Sequence, residues 1–334
     1  MDLKNIGEFG LISRLSENCI INNDQVFTGI GDDAAVLPLD TENYLLAACD
    51  MLVEKVHFLT EKSTPFQIGY KSIAVNFSDI AAMGGWPTGI LVSIGLPSSI
   101  SLNYIEEIYL GMKQICHKYN VNIVGGDTVA SPGGLVINVS VLGKVKKEHL
   151  HLRSQAQIGD VVFTTGTLGD SAAGLEILKN VNINVPYWIK APLLNRHLCP
   201  EPCLKESKIL NMKPGLNALN DISDGLASDV WEIATASKLG IELYAENIPL
   251  SPEVKELAKI INRDPLDWAL YGGEDFELVG TICKKNFQEL RNLFKINLNK
   301  ELIPIGTVVQ KPEVYLMKDT EKILLDKKGY NHFI

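Results

Sequence analysis

The 334-residue sequence predicts two α/β domains in tandem, joined near residue 150. Three observations carry this. The first half alternates short apolar runs with apolar residues at helical spacing. A polar, basic stretch, KVKKEHLHLRSQAQ (144–157), then breaks the pattern. A new strand-turn-helix unit begins straight after it. We place the division between residues 148 and 149, which gives units 1–148 and 149–334, each long enough to bury a core.

Each element has its own signal. Residues 44–49 (YLLAAC) read as a strand that ends at Asp50. Across 66–83, Ile73, Phe77 and Ile80 lie on one helical face, and Gly84, Gly85 and Pro87 stop the helix. Residues 89–96 read as a strand. Leu102, Ile105, Ile108, Met112 and Ile115 set a helical period over 101–119. Residues 121–124 and 135–145 read as strands. Beyond the boundary come a strand at 160–165, a turn at 166–170 and a helix at 170–179. Residues 181–215, rich in Pro, Asn and Lys, predict irregular chain. Strand-turn-helix returns over 216–238, and apolar stretches follow at 277–283 and 302–309.

The composition is 46% hydrophobic and 21% charged, that of a soluble globular protein. A formal net charge of −9 disfavours nucleic acid and anionic membrane as partners. No run approaches the ~20 apolar residues of a membrane span. The N-terminus lacks the basic and apolar regions of a secretory signal, so the expected location is the cytoplasm, with the six cysteines reduced. Cys199 and Cys203 (CPEPC) lack a second Cys/His pair at zinc spacing, which favours a structural role.

The placement of aspartate is the most informative feature. Asp32 and Asp33 follow Gly29-Ile30-Gly31, Asp50 follows YLLAAC, and Asp127 follows Val124-Gly125-Gly126. Asp221 and Asp224 lie in NDISDG, and Glu274 and Asp275 follow Gly272-Gly273. A single such residue is an ordinary turn or cap. Several in one chain, most beside glycines that let backbone approach a ligand, point to hard-cation binding by carboxylate oxygen. Asp79 lies inside a predicted helix among apolar residues, where a carboxylate needs a partner: a metal, or an ion pair with Lys71. With five arginines, no GxxxxGK[ST] loop and no protein-kinase signature, phosphate chemistry here would draw its positive charge from Asp-bound metal ions. The turn Gly166-Thr167-Leu168-Gly169-Asp170 is either an ordinary βα turn or a weak anion site. The residues alone thus describe a Mg²⁺-dependent enzyme acting on phosphates.

Five blocks then resemble the thiamine-monophosphate kinase family: GIGDDAAV (29–36), DMLVEKVHF (50–58), KSIAVNFSDIAAMGGWP (71–87), GGDT (125–128) and the pair NDISDGL (220–226) with GGEDFEL (272–278). TGTLGDSAAGL (165–175) and GYNHF (329–333) also look like the family, and the blocks keep their order from end to end. The resemblance implies an aminoimidazole-ribonucleotide-synthetase-like α/β (α+β) fold. Its N-terminal sheet would pair across a homodimer, and a C-terminal α/β domain would follow. It implies ATP as co-substrate, several Mg²⁺ ions and thiamine monophosphate as acceptor, in the last step of thiamine diphosphate synthesis.

Carried over position by position, Asp33, Asp50, Asp79, Asp127, Asp221 and Asp224 match the family's metal-binding aspartates, with Asp32 adjacent. Gly126, Asp127, Arg153 and Ser223 match nucleotide contacts. His57 and Glu274 match substrate contacts, and Tyr330 matches an aromatic that stacks on the thiamine rings. One departure stands out. Many relatives have a hydroxyl residue before the Asp of the second block, where this chain has Ala48 and Cys49, and a thiol is a poor Mg²⁺ ligand. The expected mechanism is direct in-line transfer with no general base, with Asp50 and Asp127 central, because the acceptor phosphate is already largely deprotonated. The competing functions are a selenophosphate synthetase, which Cys19 lacks the context to support, and a non-catalytic sensor, which has no need of six matching aspartates.

Overall fold

A computed structural model describes residues 3–180, 182–327, 329 and 330. Residues 331–333 of GYNHF lie outside them. The N-terminal helix α1 (Leu3–Leu15) is kinked at Gly7. Strands β1 (Ala35–Pro38) and β2 (Asn43–Val53) lead to helix α2 (Pro65–Ala82). Strand β3 (Trp86–Leu96), helix α3 (Leu102–Tyr119) and strands β4 (Asn122–Ala130) and β5 (Val136–Lys146) complete a five-stranded sheet of order β1-β2-β5-β3-β4. Only β3 and β4 pair parallel.

Helix α2 starts on a capping box. Thr64 accepts from Gln67 N while Gln67 accepts from Thr64 N, which satisfies two donors that the first turn leaves open. Helix α3 ends on Asn120 in the left-handed region. The two helices approach so closely that a Cβ on Gly69 would lie 1.9 Å from Ile108 O, and one on Gly111 would lie 2.0 Å from Phe66 O. Ile73, Phe77, Ile80, Ile108, Met112 and Ile115 are fully buried there.

The second sheet has seven strands, ordered β12-β11-β8-β10-β6-β9-β7. It is built from β6 (Val161–Thr164), α4 (Asp170–Lys179), α5 (Tyr187–Leu198), α6 (Leu204–Leu210), β7 (Leu216–Asp221), α7 (Leu226–Ser237) and β8 (Gly240–Tyr244). Helices α8 (Pro252–Ile261) and α9 (Pro265–Tyr271), strand β9 (Leu278–Ile282), helix α10 (Lys284–Leu298) and strands β10 (Ile303–Val309), β11 (Val314–Lys318) and β12 (Glu321–Leu324) follow. One continuous core joins α2 and the first sheet to Phe163, Leu278, Phe294 and Leu204 of the second unit.

Two expectations are corrected. Residues 181–215 are not irregular, since they contain α5 and α6. The polar residues that suggested loop lie on the outside of α5, while Ile189, Leu193 and His197, four apart, are buried. Asp50 and Asp127 do not follow their strands but lie within β2 and β4. Strand β2 runs on because all eleven of its residues pair with β5.

Candidate active site

Helix α2 carries a line of buried polar groups through the core, and each has a partner. Ser72 Oγ donates to Gly69 O at 2.9 Å, and Asn76 Nδ2 donates to Ser72 O at 3.0 Å. Asn76 Oδ1 accepts from Asp50 N at 3.1 Å. Ser78 Oγ donates to Asp221 Oδ2 at 2.7 Å. Lys71 Nζ bonds Glu274 Oε2 at 2.8 Å, so the expected alternative of a Lys71–Asp79 pair is replaced by this one.

Asp79 instead meets carboxylates. One oxygen each from Asp33, Asp79 and Asp221 lies within 4.8 Å of the others. Burial, then Asp50, Asp221 and Asp33, push the Asp79 carboxyl well up from its ordinary range. Burial and Asp33 raise Asp50 to about 6 and Asp221 to about 8. Asp224 rises to about 6, through burial and then Glu8 and Glu232. Asp32 rises to about 7, through burial and then Asp33. Arg153 Nη2 donates to Asp33 Oδ1 at 2.5 Å, and Arg153 Nε donates to Asn220 Oδ1 at 2.7 Å. Asp33 Oδ2 is buried with no hydrogen-bond partner among the described residues.

This donor set fits a hard divalent cation. It is all oxygen, it holds an excess of negative charge, and it includes an orphaned buried oxygen.

Asp50, Asp79, Asp221 and Asp224 line a cleft of about 690 Å³, together with Ser223, His57, Glu274 and Tyr330. Two loops close on each other to make one wall. Glu274 and Phe276 adopt left-handed backbone, φ 68° and 51°, a strain that functional loops tolerate when neighbours hold them. Here Glu274 N donates to Ser223 O at 2.7 Å and Phe276 N donates to Ile222 O at 2.9 Å. His57 Nδ1 accepts from Val53 N at 3.0 Å, which leaves the proton of the neutral ring on Nε2. Tyr330 N donates to Asp224 O at 3.3 Å, and the residue is 47% exposed.

Three expected residues stand elsewhere. Arg153 does not line the cleft, and its guanidinium is engaged by Asp33, Asn220 and Glu232. Gly126 and Asp127 lie on the exposed edge strand β4, where Asp127 Oδ1 accepts from Thr128 N. Gly126 shares a cross-strand row with Val92, Val139 and Asp50. Three strand spacings therefore separate it from Asp50, ~14 Å. The weak anion site at 166–170 is already filled by the protein. Gly169 N and Ser171 N, at the start of α4, donate to Asp275 Oδ2 and Oδ1 at 2.7 and 3.1 Å.

Sequence reasoning missed three contributors. Asp229 Oδ2 accepts from Asp224 N and Gly225 N and shapes the NDISDG loop. His197 Nδ1 lies 3.3 Å from Glu274 Oε2. Ser78 holds Asp221. Only Ser78 carried a local signal, its place beside Asp79 on α2.

The fold and its carboxylate cleft define a class. The chain matches the AIR synthase related protein, N-terminal domain, over residues 31–145, and the corresponding C-terminal domain over 157–319. A thiamine-monophosphate kinase of Bacillus subtilis (strain 168) is 39% identical over 334 residues, covering 98% of this chain and 99% of that protein. A solved structure, AaThiL complexed with AMPPCP and TMP, is 35% identical, covers 100% of this chain and 99% of that one, and has a TM-score of 0.87. HypE of E. coli, a hydrogenase maturation protein, shares the fold at 21% identity and a TM-score of 0.71, over 96% of this chain and 97% of that one. Within the AIR-synthase-related class, the chain belongs to the thiamine-monophosphate kinase family.

Proposed function

We propose that this protein transfers the γ-phosphoryl group of ATP to thiamine monophosphate and forms thiamine diphosphate, the last step of that cofactor's synthesis. The observation that carries the reading is one cleft that joins four carboxylates to His57, Glu274 and Tyr330. The carboxylates suit a metal-bound triphosphate. The other three suit an aromatic, nitrogen-rich acceptor.

The acceptor oxygen belongs to a phosphate that is already largely ionised, so no residue need remove a proton. The difficulty is repulsion between two polyanions. Asp33, Asp50, Asp79, Asp221 and Asp224, with Asp127, would hold Mg²⁺, which when bound supplies positive charge to both phosphates. The protein's own groups align the reactants for direct in-line transfer. Ser223 would face the nucleotide, Gly126 would reach it only where a second copy closes over β4, and Arg153, while holding Asp33, would place a fixed cation behind the phosphates. His57 and Glu274 receive the acceptor's heterocycle, and Tyr330 stacks on it.

A homodimer fits exposed apolar side chains spread across the first sheet. Met51, Leu91, Val124 and Val129 are 40–60% exposed. A second copy covering that face would enclose Asp127, which a single chain leaves open to solvent. We assign the two domains to residues 1–148 and 149–334 and the reaction to the cytoplasm. No helix of the described residues is long and apolar enough to cross a membrane.

Size-exclusion chromatography with light scattering tests the assembly, and product analysis with thiamine monophosphate and ATP tests the reaction. A dimeric, Mg²⁺-dependent producer of thiamine diphosphate is expected. Failure to convert the monophosphate while ATP binds would overturn the acceptor assignment.

A further inference from the structure

Glu274 stands in the cleft wall with unusual support. Its carboxylate is held from two sides by elements distant in sequence. Lys71 of α2 reaches Oε2 at 2.8 Å, and His197 of α5 lies 3.3 Å from the same oxygen. Both contacts fall on Oε2, on the residue's side of the cleft. Lys71 is itself buried, 3% exposed, and a buried ammonium is retained only where a partner compensates it. It lies two turns before Asp79 on the same helix, so α2 delivers a carboxylate to the metal side and a cation to the acceptor side. His197 is tied in turn to Ser171 Oγ at 3.0 Å.

We propose that Lys71 is a positioning residue that keeps Glu274 an ionised, fixed hydrogen-bond acceptor, with His197 packed against it, and that this carboxylate selects acceptors whose heterocycle carries an exocyclic amino donor. The inference rests on the kinase reading above and extends it to substrate choice. The amino group of an aminopyrimidine meets the requirement. A pyrimidine with oxygen in its place moves its N–H to the ring nitrogen and presents a carbonyl acceptor at the exocyclic position, which a carboxylate repels.

The charges around Glu274 agree. Burial alone would raise its carboxyl, but the Lys71 ammonium outweighs it and holds the group below its ordinary range. Burial, then Lys71, push His197 down to about 3, so its ring is neutral near pH 7. Tyr330, the other titratable group facing Glu274, has its phenol raised by burial and then by Glu274 itself, so it is uncharged in the same range.

The test compares KM for thiamine monophosphate and for oxythiamine monophosphate, from pH 6 to 9, in the wild type, Lys71→Met and Lys71→Met/Glu274→Gln. The wild type is expected to favour the amino compound by roughly 10- to 100-fold, the weight of one hydrogen bond to a charged group. In Lys71→Met the carboxyl is no longer held ionised. Its KM for thiamine monophosphate, divided by the wild-type value at each pH, should be raised about tenfold near pH 6 and fall as pH rises. KM for ATP should stay within about twofold.

The double variant removes both charges together and serves as the folding control. It should melt cooperatively, show no pH dependence in that ratio, and lose the preference for the amino compound. Loss of kcat in Lys71→Met with an unchanged, pH-independent KM ratio and intact discrimination would make Lys71 merely structural and overturn the proposal. So would a double variant that folds and still discriminates. A wild type that phosphorylates neither compound would instead refute the kinase reading.

Discussion

Asp79→Asn separates two effects of the carboxylate group. Asp33, Asp79 and Asp221 bring oxygens within 4.8 Å of one another. At an effective dielectric of ~20, two full charges that far apart repel by ~3 to 4 kcal/mol. Burial and this repulsion make the folded state bind protons more tightly than the unfolded chain. Asp50 moves from 3.8 to about 6 and Asp221 from 3.8 to about 8.

Because the folded pKa lies above the unfolded one, the contribution to stability is complete below about pH 4. It is lost as pH rises through about 6 to 8. For Asp50 alone the change corresponds to ~3 kcal/mol. The metal-free wild type should therefore lose stability between pH 5 and pH 8. Asp79→Asn keeps the side-chain shape and removes one charge, so it should lose less.

With ~2 kcal/mol of relieved repulsion and ~2 to 3 °C per kcal/mol for a chain of this size, the variant in EDTA at pH 8 should melt roughly 5 °C above the wild type. Mg²⁺ should raise the wild-type Tm more than the variant's. With saturating Mg²⁺, kcat should fall by on the order of 10² or more. Thermal melts at pH 5 and 8, with Mg²⁺ or EDTA, and an ADP-release assay measure these effects. An Asp79→Asn protein that melts at or below the wild-type temperature in EDTA at pH 8, beside a wild type whose Tm is flat with pH, would refute the electrostatic argument.

Three further outcomes are expected. Asp127→Asn should still melt cooperatively, because Asp127 lies on the edge strand β4 outside the buried core, yet lower kcat by about 10² in the ADP-release assay. Gly111→Ala should destabilise the fold by ~1 to 3 kcal/mol or more in urea melts, because its Cβ would fall 2.0 Å from Phe66 O with no flexible side chain to yield. Tyr330→Ala should raise KM for thiamine monophosphate about 5- to 10-fold in steady-state kinetics, the loss of one stacking contact, and leave KM for ATP unchanged.

Much of this architecture was legible because local signals and the fold agree. The spacing of Ile73, Phe77 and Ile80 and the stop at Gly84 and Gly85 mark α2 over 66–83, and the structure places it at 65–82. The aspartates pointed toward the cleft: four of the six expected metal ligands line it, and Asp33 joins two of them in the close carboxylate group. The misreadings share a physical origin. Asp50 looked like a strand terminator because aspartate is poor in strands. Pairing with β5, and Asn76 accepting from its backbone N–H, hold it inside β2. In α5, Pro192 and exposed Lys and Asn hid a helix whose buried residues are Ile189, Leu193, His197 and Leu198. The Lys71–Glu274 pair was out of reach, because 203 residues separate the partners and only the packing of α2 against the second unit unites them.

The most direct test of the central claim is incubation of the purified protein with ATP, Mg²⁺ and thiamine monophosphate, with chromatographic detection of thiamine diphosphate. Free thiamine in place of the monophosphate, and EDTA in place of Mg²⁺, serve as controls. The account predicts thiamine diphosphate from the monophosphate alone, abolished by EDTA, with one ADP per product. Product from free thiamine at a similar rate, or none from the monophosphate while ATP still binds, would contradict it.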